Sequence, residues 1–370
     1  MTDTVLVDGR EMTIDLAETF EDLDRLRCGW TGLLACSYSE SPFMTWEWLS
    51  SWAREFIRAH RRLMVMAISD GTELLGIAPL YVDYVRRGPL KVRELGFLGV
   101  PDAGSDYLDV VAKRGKESVV AGALLAALVG PLTSKWDTLV LREIPAESPF
   151  LAHLILKVRE RRRHYSIEDG SFCPGVELPR DFDSYLKQLT SHGRQAYRRK
   201  LRRLFRSPRV EHTCSRGEAV GPALHTFRAL YEKRWGQPMN GLFSLVDKYR
   251  LQPPRSWQVE VSLLHVDARP IAGLVHLVGN GKIYQYLMAV DRTFNKQLSI
   301  GNLICGLNIQ AAIDAGLSEY DFLKGEEVYK LKFMNRARRS LNFRLHNRTG
   351  RSLTAWTAAA ATGLVKIFIR

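Results

Sequence analysis

The chain has 370 residues, 46% of them hydrophobic and 25% charged, and a formal net charge of +13. Its length exceeds the roughly 250 to 300 residues at which one core stops growing, so two domains are expected, and the composition is that of an ordinary globular protein rather than a disordered or fibrous one. The positive charge predicts attraction to polyanions: nucleic acid, phosphorylated cofactors or an anionic membrane surface.

No segment reaches the roughly 18 apolar residues needed to span a bilayer, and MTDTVLVDGREMTIDL lacks the order of a signal peptide, which leads us to expect a cytoplasmic location. In chain order, Glu18 to Ala35 and Phe43 to Ala59 repeat apolar residues at helical spacing, the second introduced by Ser41-Pro42. Strands are expected over Leu63–Ser69, Leu74–Val85 and Leu95–Leu98, with YLDVVA near Tyr107, then a helix at Ser118–Leu128 and a strand at Thr138–Leu141. The second half follows with a strand at Pro174–Leu178 and helices at Phe182–Leu189, His192–Arg206 and Ala219–Arg234. Strands at Gln258–Val266, Ile271–Val278 and Lys282–Val290 lead to a helix at Ile300–Ala315 and a strand at Tyr320. The cysteines Cys28, Cys36, Cys173, Cys214 and Cys305 form no CxxC and have no histidine at ligand spacing, so neither a disulfide framework nor a metal site is expected.

The halves resemble each other. Met66–Val82 can be laid over Leu263–Gly279, aligning Gly76 with Gly273, and Ser118–Glu143 parallels Ser299–Glu327, each a helix leading to an aromatic-Asp-x-Leu strand. The expected fold is mixed α/β, two tandem domains each with a mostly antiparallel sheet flanked by helices: 1–172, 173–350, and a tail 351–370 that reads as an interfacial helix, a packed segment or disorder.

The run Asp291-Arg-Thr-Phe-Asn-Lys-Gln-Leu-Ser-Ile-Gly-Asn-Leu, followed by Ala-Gly-Leu-Ser-Glu-Tyr-Asp-Phe-Leu-Lys-Gly-Glu-Glu-Val-Tyr-Lys ending at Lys330, resembles the CelD/BcsL-type acetyltransferases. These belong to the GNAT superfamily and are related to the FemAB peptidyltransferases, built from two GNAT halves. Trp46, Trp48, Trp52, Ser105–Asp109, the basic stretch from Ser191 and Arg234-Trp235 also fall where that family has characteristic residues. The chain departs from it at Tyr231, where the family often has His, and at Phe294, Ile300 and Glu326. The resemblance implies two GNAT-like domains, acyl transfer, and acyl-CoA (acetyl-CoA) as co-substrate.

Direct acyl transfer needs a site for the donor's phosphates, groups to hold the reacting carbonyl and a base. Ser299 stands at a helix start and Gly301 permits close backbone approach, so Gln297, Ser299, Gly301 and Asn302 form a candidate phosphate cradle; the other reading is an ordinary capped helix. Asp321, Lys324, Glu326 and Glu327 follow an expected buried strand. There a carboxylate in an apolar cleft can serve as base, Glu326 and Glu327 more readily than Asp321, which also reads as a structural partner of a buried cation. Tyr329 and Lys330 are candidates for a proton donor and an oxyanion or phosphate contact. Asp291 reads equally as an acceptor-orienting acid or a turn residue, and Arg234-Trp235 as a phosphate clamp or a helix end with a core tryptophan.

Arg194 to Arg209 holds eight Lys or Arg and no acid, and Lys330 to Arg351 holds eight more. Like charges at helical spacing repel, so the density on the first helix, with Arg198 and Arg202 as representatives, suggests an anionic partner. The first half lacks a counterpart to Lys324–Lys330, since Pro145 interrupts it; it is expected to line an acceptor groove through Trp46, Trp48, Tyr107 and Asp109, although an aromatic cluster also reads as core. The expected activity is acyl transfer from acyl-CoA or an acyl carrier protein to an amine or hydroxyl of a sugar, polysaccharide or cell-envelope precursor, with peripheral membrane contact. Alternatives are an aminoacyl-tRNA-dependent peptidyltransferase and, less well supported, a nucleic-acid-binding protein.

Overall fold

The computed structural model describes residues 2–87, 90–206, 209–236, 239–254 and 256–348. The chain divides into two compact units: one holds everything up to Ser171 together with the described residues after Arg338, the other is Phe172–Arg338. The second half anticipated over 173–350 therefore stops earlier, because its last strand pairs in the first unit. The tail from 351 lies outside the described residues.

The first unit opens with an antiparallel hairpin, β1 (Thr2–Val7) and β2 (Arg10–Ala17), turned at Asp8-Gly9 with φ of 49° and 80°. Next come α1 (Phe20–Arg25) and α2 (Arg27–Ala35), which split the single helix expected there. At Leu26 the amide bonds back to Leu23 O at 3.3 Å, tightening the turn between them. In α3 (Trp46–Phe56) the indoles of Trp48 and Trp52 are fully buried and that of Trp46 nearly so, forming the unit's core. The strands β3 (Arg61–Leu63), β4 (Val65–Ser69), β5 (Leu74–Ala78), β6 (Leu80–Arg87) and β7 (Leu90–Phe97) follow; Pro79, which has no amide to donate, interrupts the strand expected over Leu74–Val85. Of YLDVVA only β8 (Val111–Ala112) is strand. After α4 (Glu117–Val129), β9 (Thr138–Pro145) runs parallel to β7, and α5 (Pro149–Glu160) leads into β10 (Tyr165–Glu177).

The second unit continues with α6 (Phe182–Gln188), α7 (Ser191–Leu204), β11 (Val210–Ser215), α8 (Val220–Trp235), α9 (Asn240–Leu251), β12 (Trp257–Val266), β13 (Arg269–Gly279), β14 (Lys282–Val290), α10 (Ile300–Asp314), β15 (Glu319–Asp321) and α11 (Val328–Phe333). Its sheet runs β11-β12-β13-β14-β15-β10, antiparallel except for β14 beside β15. The final strand, β16 (Arg336–His346), leaves this unit and pairs antiparallel with β9; the first unit thus holds β1-β2-β4-β5-β8 and β16-β9-β7-β6-β3.

In the second unit α10 is buried on most of its circumference. Leu303, Ile304 and Ile309 pack with Leu274, Tyr320 and Phe322 of the sheet region and with Tyr197 of α7. Gly306 is what lets α7 lie so close: a β-carbon there would sit 2.3 Å from the Tyr197 ring. The aligned glycines of the two halves do different work. A β-carbon at Gly76 would meet Val120 of α4, whereas one at Gly273 would meet Phe227 of α8, and it is α10, not α8, that precedes the parallel strand as α4 does.

Candidate active site

Strands β14 and β15 pair over only three residues, Lys282–Tyr284 against Glu319–Asp321. Beyond them β14 runs on to Val290 with a bulge at Tyr286, skipped between the pairs His276↔Gln285 and Val275↔Leu287, while the chain after β15 turns away through Leu323 (φ 56°) and Gly325 (φ 124°). Where the two strands part, Tyr329 of α11 returns to β14 and its phenol oxygen accepts a hydrogen bond from Gln285 Nε2 at 3.1 Å. Burial raises the Tyr329 pKa far above the ordinary phenol range, so the group is a neutral donor and not a base.

The loop after β14 delivers the N-terminus of α10. Ser299 takes the helix-cap position but in left-handed backbone (φ 52°), and its hydroxyl does not cap the helix. Instead Ser299 Oγ accepts from Lys200 Nζ at 2.7 Å, and Arg203 Nη1 donates to Gln297 Oε1 at 3.0 Å. The helix start thus lacks a side-chain acceptor and has two cations of α7 beside it, a combination suited to an anion. Adjacent to it is a cleft of about 440 Å³ between α7, the first turn of α10 and α11, lined among others by His192, Tyr197, Lys200, Asn302, Leu303 and Phe333. The buried Tyr197 hydroxyl has no hydrogen-bond partner.

A row of polar side chains lies beneath the opening. Arg216 bonds Glu260 at 2.5 Å, Glu260 faces His276 Nδ1 at 3.6 Å, His276 Nε2 meets the Tyr320 hydroxyl at 3.1 Å, and Tyr320 donates to Gln285 Oε1 at 2.9 Å. Burial, with smaller contributions from the positive charges nearby, pushes the His276 pKa down to about 3, so the ring is neutral. Nothing in the sequence pattern singled out this row, since its members alternate with apolar residues along ordinary strands.

Residues 191–331 match the family model described as an acetyltransferase (GNAT) domain. The second unit is a GNAT-type acyltransferase domain. FemX is similar in structure at a TM-score of 0.55 and 11% identity, over 92% of this chain and 99% of that one. L-PGS from Bacillus licheniformis gives 0.52 and 12%, over 91% and 95%, and the C-terminal domain assigned to a lysylphosphatidylglycerol synthetase from Agrobacterium fabrum gives 0.51 and 12%, over 94% and 100%. None of the curated protein sequences matches. The chain is an acyltransferase of mixed α/β fold, and the match to the acetyltransferase (GNAT) domain lies within its second unit.

Within the GNAT domain Gln297, Ser299, Gly301 and Asn302, the candidate cradle residues, stand at or just before the α10 start. Gly301 is not sterically required there, because a β-carbon would find only Val290 and Met288, at 3.6 and 3.7 Å. The acid candidates differ from expectation. Asp321 is buried and ion-paired with Arg338 at 2.8 Å, while also accepting from the Leu323 amide at 2.7 Å; Glu319 pairs with Arg336 and Arg338. Glu326 and Glu327 are exposed rather than enclosed in an apolar cleft, and Glu327 pairs with Lys330 at 3.1 Å. The buried Lys330 ammonium also donates to the carbonyl of the half-buried Lys324, tying the β15–α11 turn together.

Asp291 is a turn residue. It accepts from the Thr293 amide and hydroxyl at 2.9 and 2.6 Å and pairs with Lys233 and Arg269. Burial alone would raise its pKa, but these bonds outweigh burial and hold the carboxyl well below the usual range. Trp235 is exposed and not a core residue, with the Arg234 guanidinium 4.4 Å from its ring centroid. Arg198 and Arg202 are exposed on α7, Arg198 pairing with Asp183 at 2.7 Å. Tyr107 and Asp109 belong to the first unit and are buried there, as are Trp46 and Trp48, so these side chains are core rather than groove lining.

Among the described residues no group of His, Cys, Asp and Glu is arranged to hold a metal ion, and no helix is long and apolar enough to cross a membrane.

Proposed function

We propose that the enzyme transfers an acyl group from a phosphate-bearing thioester, an acyl-CoA or an acyl carrier protein, to an amine on a sugar, polysaccharide or cell-envelope precursor. The observation that carries this reading is the start of α10, open to an anion and flanked by Lys200 and Arg203, on the helix whose Cys305 reaches Gln285 at 3.6 Å where β14 and β15 separate. The donor brings an activated carbonyl. The chain's own residues then hold its phosphates at α10, admit its arm between the parted strands and offer the Tyr329 proton to the leaving group. Asp291, Glu319 and Asp321 are engaged in ion pairs and Glu326 and Glu327 face solvent. This favours an acceptor that attacks as a free amine over a hydroxyl, which needs a stronger base. The resemblance of the sequence to the CelD/BcsL-type acetyltransferases supports a saccharide acceptor.

A second reading, an aminoacyl-tRNA donor, is favoured by the exposed cationic side of α7, where Arg198, Arg199, Arg202 and Arg203 are presented to solvent. Both readings place a phosphate at α10. Thermal unfolding of the purified protein with acetyl-CoA, CoA and aminoacylated tRNA separates them. The first reading expects a saturable rise with acetyl-CoA and CoA that weakens in Lys200→Ala. A rise with charged tRNA alone would replace it by the second, and no rise with any of the three would remove both the acyl-CoA and the tRNA donor.

A further inference from the structure

The Tyr329 hydroxyl can give its proton to a leaving group only if its oxygen is satisfied from elsewhere and its O–H is turned outward. The buried row beneath it provides that constraint. Gln285 is an amide with one accepting and one donating end, and its orientation decides which end Tyr329 meets. Two donors converge on its oxygen: the Tyr320 hydroxyl at 2.9 Å and Cys305 Sγ at 3.6 Å. The amide nitrogen is thereby directed to Tyr329, whose oxygen accepts it at 3.1 Å. Tyr320 is itself held, donating its proton to Gln285 Oε1 at 2.9 Å while His276 Nε2 stands 3.1 Å from its oxygen. Burial keeps His276 uncharged, with its other nitrogen toward Glu260. Each of these side chains except Tyr329 is 96% or more buried, so water does not compete for their positions.

We infer that Gln285, held by Tyr320 and Cys305, is a positioning residue that turns the Tyr329 hydroxyl into a one-way proton donor toward the leaving group. This rests on the proposed thioester reaction and on Tyr329 as its acid. In that step the acceptor nitrogen bonds to the carbonyl carbon, and the carbon–sulfur bond breaks with its electron pair going to sulfur. Tyr329 protonates the sulfur, and the proton shed by the attacking nitrogen restores the phenol. An inverted amide would present its oxygen to Tyr329, whose proton would then be taken inward and lost to the reaction.

The test compares two acyl donors with hydroxylamine as acceptor: acetyl-CoA, whose thiolate is a basic leaving group, and phenyl thioacetate, whose thiolate leaves without protonation. For Gln285→Leu and Tyr320→Phe the inference expects kcat with acetyl-CoA to fall about 10-fold or more, KM to stay within about twofold, and phenyl thioacetate turnover to change less than about threefold. Tyr329→Phe should show the same donor-selective loss. Equal losses with both donors in the two network variants, at an unchanged melting temperature, would mean packing alone and would overturn the inference; so would no loss in either. If Tyr329→Phe lacks the selectivity, the assignment of Tyr329 as acid fails first and takes this inference with it. A wild-type protein that turns over neither donor would sink the thioester reading itself.

Discussion

At Asp291 four bonds converge on one buried carboxylate, and the chemistry they leave it is structural. Asp291→Asn keeps the oxygen that receives the Thr293 amide but removes the charge facing Lys233 and Arg269. Both cations are more than half exposed, so solvent screens much of the pair, and the expected loss is about 1 to 2 kcal/mol of unfolding free energy in urea titration. Affinity for small amine acceptors should stay within about twofold, because Thr293, Lys233 and Arg269 already engage this carboxylate. A large rise in KM without loss of stability would return Asp291 to the acceptor site. Asp321 illustrates why such roles were hard to read from sequence: its partner Arg338 is 17 residues further on and reaches it only because the chain doubles back after α11. A carboxylate in an aromatic strand looks the same before folding whether its cation is present or absent.

On the scale of elements, α7 against α10 is the contact on which the candidate site depends. Gly306→Ala puts a methyl group where the Tyr197 ring lies, so α7 must move; we expect a loss of about 1 to 3 kcal/mol, measured by chemical denaturation. Gly301→Ala meets only ordinary contacts and should hold stability within about 1 kcal/mol of wild type, since alanine is the better helix former. If Gly301→Ala nevertheless weakens acetyl-CoA binding more than about fivefold, the backbone at that point approaches the donor. The helices and strands of the second unit were largely legible, because α10 and β12 to β14 carry long apolar patterns. The first hairpin was missed because its strands are short and half polar. The period that joined α1 to α2 could not reveal the tightened turn at Leu26, and α9 carried no distinctive start signal. Ser299 and Gly301 marked the start of α10 as a candidate phosphate cradle, but Lys200 beside it was not readable, since its place depends on how two distant helices pack.

For the whole molecule, acid and base should act through different buried groups. Burial lowers His212 and His346 to about 4 and His276 to about 3, from an ordinary 6.5. The stability from keeping these rings neutral is present above pH 6.5 and is lost as pH falls toward 4. Asp109 works the other way. Burial, partly opposed by the Ser148 hydroxyl and the Val110 amide, pushes its carboxyl up to about 7, so its contribution is fullest below 3.8 and is lost as pH rises through 7. Asp109→Asn should therefore raise the melting temperature at pH 8 by a few degrees, equivalent to about 1 to 3 kcal/mol, and change it little at pH 4. Scanning calorimetry of both proteins across that range checks it, and a shift independent of pH would point to altered packing instead.

The chain leaves the first unit after Ser171 and re-enters it after Arg338, and this connectivity sets an order of events during synthesis. The ribosome finishes every residue of the second unit before it supplies Ser340–His346, the part of β16 that lies beside β9 in the first. Until residues 340–346 emerge, the first unit carries a vacant slot along β9 that only this later segment fills. The part of the protein made first is therefore the last to be completed, and a nascent chain stalled anywhere between 172 and 338 presents an unpaired sheet edge to its surroundings.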